Sequence, residues 1–208
     1  MFFYFFYGLS LGGPAAATPG PFQAFLLSQT LKNGWRRTLP ASLAPLLSDG
    51  PIIALVMLVL TQTPDWFLLL LRIGGGLFLL YLAKDAYAVS KRATTELSRA
   101  PESESQGLWK AVIMNGLNPN PYIFWGLVGG PILLEAWRQA PSMGISFLLG
   151  FYGTLIGGFA AFIALFAVAG RLGNHVTKTL AQISTALLFG FGLYQIWTGL
   201  ADLLTLGS

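Results

Sequence analysis

The chain has no cysteine, one histidine and few charges: only 10% of its 208 residues are Asp, Glu, Lys or Arg. Without cysteine, disulfides, thiol catalysis and cysteine-held metal are excluded. The lone His175 stands in "GNHVTK". That stretch has no zinc-ligand spacing, and His175 reads as a solvated loop residue. Serine-hydrolase or metalloprotease chemistry would want histidine at depth. Aspartyl chemistry would want paired deep carboxylates. The sequence supplies neither, so no enzyme, cofactor or metal is expected. A soluble domain carries roughly 25% charged residues. Here 54% of the residues are hydrophobic, and several apolar runs approach or exceed the ~20 residues needed to cross a bilayer. The net charge of +4 therefore reads as a device for membrane orientation and not as a nucleic-acid surface.

Six apolar spans are predicted near 2–31, 38–60, 66–90, 108–135, 142–170 and 178–204. The start, "MFFYFFYGLS", lacks the basic n-region of a cleavable signal, so residue 1 is expected to begin the first helix. The stretch "SKRATTELSRAPESESQG" at 90–107 is polar and poor in aromatics, as flexible linkers are. The chain then divides, within one transmembrane domain of 1–208, into a repeat at 1–90, a linker at 91–107 and a repeat at 108–208. Lys32, Arg36, Arg37, Lys84, Lys91, Arg92, Arg99, Lys110, Arg171 and Lys178 fall on one side of these spans, and only Arg72 and Arg138 near the other. Lys and Arg in short loops accumulate on the cytoplasmic face, so both termini are predicted extracytoplasmic.

Two spans carry matched interruptions. "ATPGPFQAFLL" begins at Ala17 and "LNPNPYIFWGL" at Leu117. Proline removes a backbone donor and blocks the bond to the residue four before it, a loss that hydrocarbon cannot make good with water. Pro40 and Pro141 follow at similar offsets, and Gly-rich stretches precede Leu-Tyr at 80–81 and 193–194. Three spans thus repeat as three. An odd number sends the second copy in from the opposite side, which makes an inverted-topology repeat with helices 1 and 4 broken at the midplane. Secondary transporters of this build bind substrate where such broken helices meet. The bland alternative is a pair of packing kinks.

The expected fold is thus an all-α polytopic membrane protein. Its expected site gathers Thr18, Pro19, Gly20, Pro21, Phe22 and Gln23 with Asn118, Asn120, Pro121 and Tyr122. Pro21 and Pro121 suit first helical positions. The amides of Phe22, Gln23 and Ala24, and of Tyr122, Ile123 and Phe124, are then expected to be unpaired and to attract an anionic group. Asn120 is the expected cap of the second helix, and Gly20 lets a ligand approach the backbone. Asp49, in "PLLSDGPIIAL", lies about twelve residues into span two, or ~18 Å deep. It could hold a substrate ammonium or carry a coupling proton. The alternative is a local helix restart at Asp49-Gly50-Pro51, with the carboxylate satisfying loose amides. Asn115 and Tyr152 are further polar residues at depth that could line a cavity. Gln23 and Gln195 read better as interhelical glue. Gly153 and Gly157 read as a close packing face, within the chain or between two subunits of a homodimer.

Pro-Gly-Pro at 19–21, the aspartate of span two, "GLNPNPYIFW" at 116–125 and "FLLYLAKDAY" at 78–87 resemble the lysine exporter (LysE/RhtB) family of amino-acid exporters. Pro19, Gly20, Pro21, Asp49, Asn118 and Pro119 match its motif positions. The resemblance implies a six-helix carrier of the bacterial inner membrane. It would export amino acids or related zwitterions as a proton-coupled antiporter. The implied partners are the amino acid, protons and membrane lipid, with no nucleic acid. Two other readings stand beside it: a divalent-cation exporter of similar architecture, and a structural membrane partner that transports nothing.

Overall fold

Proline stands in the first turn of several helices of this chain, although Pro14 and Pro51 lie inside others. The computed structural model describes residues 1–18, 20–59, 65–92, 103–170 and 173–206. Among the described residues the structure is all helical. The first apolar run is cut into α1 (Phe2–Ala17) and α2 (Pro21–Asn33). A glycine with φ +80°, Gly34, lets the chain turn into the short α3 (Trp35–Thr38). A 3₁₀ turn at Leu39–Leu43, containing Pro40, leads into α4 (Ala44–Val59). Next come α5 (Asp65–Arg92) and α6 (Glu104–Gly116). The fourth run is the most divided. After α6 it continues as α7 (Pro119–Phe124), a wide π turn at Trp125–Gly129 and α8 (Gly130–Gln139). Pro131 would press on the carbonyl four residues back in a regular helix, and the wide turn relieves that contact. The chain ends with α9 (Pro141–Gly170) and α10 (Asn174–Leu206).

Helix reaches further into the linker than the composition suggested. α5 continues to Arg92, and α6 already starts at Glu104. There Ser103 Oγ accepts from the Gln106 amide at 3.3 Å while Gln106 Oε1 accepts from the Ser103 amide at 3.2 Å. This reciprocal capping box stabilises a helix start. Residues 93–102 of the linker lie outside the described residues.

Three helical stretches among the described residues are long and apolar enough to cross a membrane: Trp35–Leu55, Pro141–Ala169 and His175–Ala201. Their outer faces carry large exposed apolar side chains, among them Leu149, Leu165 and Trp197. Apolar surface on this scale belongs against lipid.

Glycine sets the closest contacts. On α1, Gly8 and Gly12 lie against the backbone of Phe147 and Phe151 of α9. Gly150 lies against the Phe5 carbonyl, and Gly158 meets the Ala16 side chain. A Cβ at any of these four positions would overlap its neighbour. Gly153 and Gly157, expected to pack helices, face open space among the described residues. The second stripe of small residues, turned about α9, makes the contact instead. α5 and α10 meet in the same way, with Gly76 against the Gly192 carbonyl and Ile196. The core between them centres on Phe25, Leu26, Trp125, Phe147 and Ile163.

Candidate functional site

The first break begins at Thr18, which is extended (φ −67°, ψ 117°). Its amide and hydroxyl both donate to the Pro14 carbonyl, at 2.9 and 2.7 Å, which closes the end of α1. Gly20 is fully extended and starts α2 without a side-chain cap. Pro21 takes the first helical position, where its missing N–H costs nothing. The Ala24 amide is not free as expected, because it donates to the Gly20 carbonyl at 3.1 Å. The amides of Phe22 and Gln23 remain at the uncapped start, where the helix dipole favours negative charge. Gln23 Nε2 reaches back across the break to the Ala16 carbonyl at 2.9 Å. It therefore joins two helices, as glue would, while also facing the gap.

The second break differs from the expectation by two residues. The helix starts at Pro119, not Pro121, and the cap is Asn118, not Asn120. Asn118 Oδ1 accepts from the Asn120 amide at 3.1 Å. Pro119 and Pro121 have no N–H to offer, and Tyr122, Ile123 and Phe124 sit far enough into the helix for their amides to pair with carbonyls four back. The row of free amides expected here is therefore missing, and anion attraction falls to α2. Tyr122 turns away from the gap, and its hydroxyl donates to the Gly116 carbonyl at 2.8 Å.

Between the breaks lies Asp49, 4% exposed, in the unbroken helix α4. Asn115 Nδ2 donates to its Oδ1 at 2.8 Å. Tyr152 Oη and Trp125 Nε1 donate to its Oδ2 at 3.1 and 3.3 Å. Asn115 also donates to Ser48 Oγ at 2.7 Å. The partners are side chains from α6, α9 and the π turn, so Asp49 does not cap loose amides and the helix-restart reading fails. A deep carboxylate held by three donors is a costly arrangement that membrane proteins keep at pathways and relays.

One cavity of about 260 Å³ joins these parts. Thr18, Gly20, Pro21, Phe22, Gln23, Asp49, Asn115, Asn118, Asn120 and Pro121 all line it. Tyr122 and Tyr152 stand behind its wall, on the Gly116 carbonyl and the Asp49 carboxylate respectively. Pro19 lies outside the described residues. The apolar lining was missed from sequence: Phe124 and Trp125, with Phe151, Leu155 and Phe159 of α9. The last three recur every four residues, the spacing of one helix face, and that was the available signal. Gln195 is buried like an interhelical bridge, yet its Oε1 has no hydrogen-bond partner among the described residues.

A helical membrane protein with a carboxylate in a cavity between two broken segments is the build of a carrier. The chain belongs to the LysE type translocator family, whose pattern it matches over residues 15–199. It is 30% identical to the arginine exporter protein ArgO of Salmonella schwarzengrund (strain CVM19633) over 94% of this chain and 92% of that protein. It is likewise 30% identical to the protein of that name from Escherichia coli (strain K12), over 97% of this chain and 94% of that one. The Shigella flexneri protein of that name is 31% identical over 75% of this chain and 78% of its own length. No solved structure matches. The chain is therefore a multi-pass membrane transporter and not an enzyme, and its family supports amino-acid export.

Proposed function

We propose that the protein is a proton-coupled amino-acid exporter of the bacterial inner membrane, with both termini outside. It crosses six times as two inverted three-helix repeats, 1–90 and 108–208, joined by the linker 91–107 into one domain. The observation that carries this reading is Asp49, buried in a cavity that both breaks line. The substrate carboxylate rests at the uncapped amides of Phe22 and Gln23, and its ammonium faces Asp49. Release of the ammonium frees Asp49 to take a proton for the return step.

The paired ties across the breaks support the repeat. Gln23 holds the Ala16 carbonyl and Tyr122 holds the Gly116 carbonyl, acceptors one hundred residues apart, like the two proline motifs. The helix pairing agrees: α1 packs on α9, α6 on α4, and α5 on α10. Alternating access then comes from rocking one repeat against the other.

The names of the relatives make arginine the first substrate to try. Vesicles holding the purified protein and a pH gradient should move a labelled amino acid, and should stop when the gradient is collapsed. Movement of divalent metal with no amino acid would replace this reading with cation export. Movement that ignores the gradient would remove the proton from it.

A further inference from the structure

The lining of the cavity is uneven, and the unevenness bears on which amino acid fits. Its polar members come from the two breaks and from the cluster around Asp49: Thr18, Gln23, Asn115, Asn118 and Asn120. The wall that α9 contributes is Phe151, Leu155 and Phe159, with no polar atom among the side chains. This wall is continuous and well fixed. Phe159 packs on Phe22 with ring centroids 4.6 Å apart, and Phe151 stacks on Phe124 at 5.1 Å.

Among the described residues Asp49 is the one ionisable residue in the lining. A zwitterion brings one ammonium and one carboxylate, which Asp49 and the start of α2 answer. Arginine or lysine brings a second cation. Three protein donors already engage the two oxygens of Asp49, and a carboxylate has about four acceptor sites, so it has room for the α-ammonium and not for a second cation as well. The second cation would lie against the apolar wall, and a buried charge without a partner is strongly disfavoured. Attraction of a cation to the aromatic faces is weaker than that penalty.

We propose that this cavity takes amino acids with uncharged, apolar side chains, leucine or phenylalanine in kind, and discriminates against arginine and lysine. The inference rests on the amino-acid reading above and narrows it, away from the substrate in the names of the relatives. The α9 wall receives the side chain, and Phe124 closes it from the second broken segment.

Binding of labelled leucine, phenylalanine, arginine and lysine to the purified full-length protein tests this. Leucine or phenylalanine should bind at least about tenfold more tightly than arginine or lysine, a difference of ~1.4 kcal/mol or more. Phe124→Asp should reverse the order by giving the second cation a partner, and Leu155→Glu offers the same change from α9 if the first variant does not fold. Arginine bound as tightly as leucine by the unmodified protein overturns the inference and leaves amino-acid export standing. Failure of all four to bind overturns both. A folded Phe124→Asp or Leu155→Glu protein that still prefers leucine also counts against the proposal, because the missing carboxylate would then not be the cause.

Discussion

Asn115 Nδ2 lies 2.8 Å from Asp49 Oδ1, so the last turn of α6 holds the buried carboxylate of α4. The same nitrogen reaches Ser48 Oγ at 2.7 Å. One amide thereby ties the end of a broken segment to two successive residues of the neighbouring helix.

Removing that amide should be felt in stability before transport. Asn115→Ala leaves Asp49 with one donor fewer in a buried site, at a cost of about 1–3 kcal/mol. Thermal unfolding in detergent should show a lower midpoint than the unmodified protein. An unchanged midpoint would mean that the contact contributes nothing.

Gly20 separates room for a ligand from a requirement of the backbone. Its φ is extended, a conformation open to any residue, and a Cβ there would approach Gln23 Oε1 no closer than 3.4 Å. Gly20→Ala should therefore fold and transport. Gly20→Leu should also reach the membrane, but its side chain would fill the space above the Phe22 and Gln23 amides and transport should fall at least tenfold. Vesicle transport at equal expression distinguishes them, and full activity of the leucine variant would make the break a mere kink.

The glycines of α9 should behave as two classes. Gly150→Ala forces a Cβ onto the Phe5 carbonyl, and overpacking of this kind costs roughly 1–3 kcal/mol. Gly153→Ala meets open space and should be neutral or slightly stabilising, since alanine is the better helix former. Unfolding midpoints of the two variants measured side by side provide the check.

The ties across the breaks should be comparable in strength. Tyr122→Phe frees the Gly116 carbonyl, and Gln23→Leu frees that of Ala16. Each should cost about 1–3 kcal/mol if the carbonyl is left unsatisfied. A loss at one break only would argue against their equivalence.

Much of this was legible in the sequence because proline and charge are conspicuous in an apolar run. The breaks fell beside Pro21 and Pro119, and Asp49, which stood out as an acid inside an apolar run, is buried. The start of α7 was not, because Pro119 and Pro121 both fit a first turn, where amides are orphaned in any case. Asn118 decides between them by capping. Phe151, Leu155 and Phe159 share one helix face by their four-residue spacing, but a membrane helix is apolar all round, so that spacing alone does not tell the face that lines a cavity from those that meet lipid or a neighbouring helix. The two glycine stripes of α9 posed the same problem, since spacing alone does not say which one meets α1.

On the proposed mechanism Asp49 acts as a charge and not only as an acceptor for Asn115, Trp125 and Tyr152. Asparagine keeps an acceptor and nearly the same shape but cannot ionise. Vesicles with a pH gradient should therefore show uptake of a labelled amino acid by the unmodified protein, a fraction of it by Asp49→Glu and none by a folded Asp49→Asn. Transport by Asp49→Asn at the unmodified rate would leave Asp49 neither the ammonium partner nor the carrier of the proton.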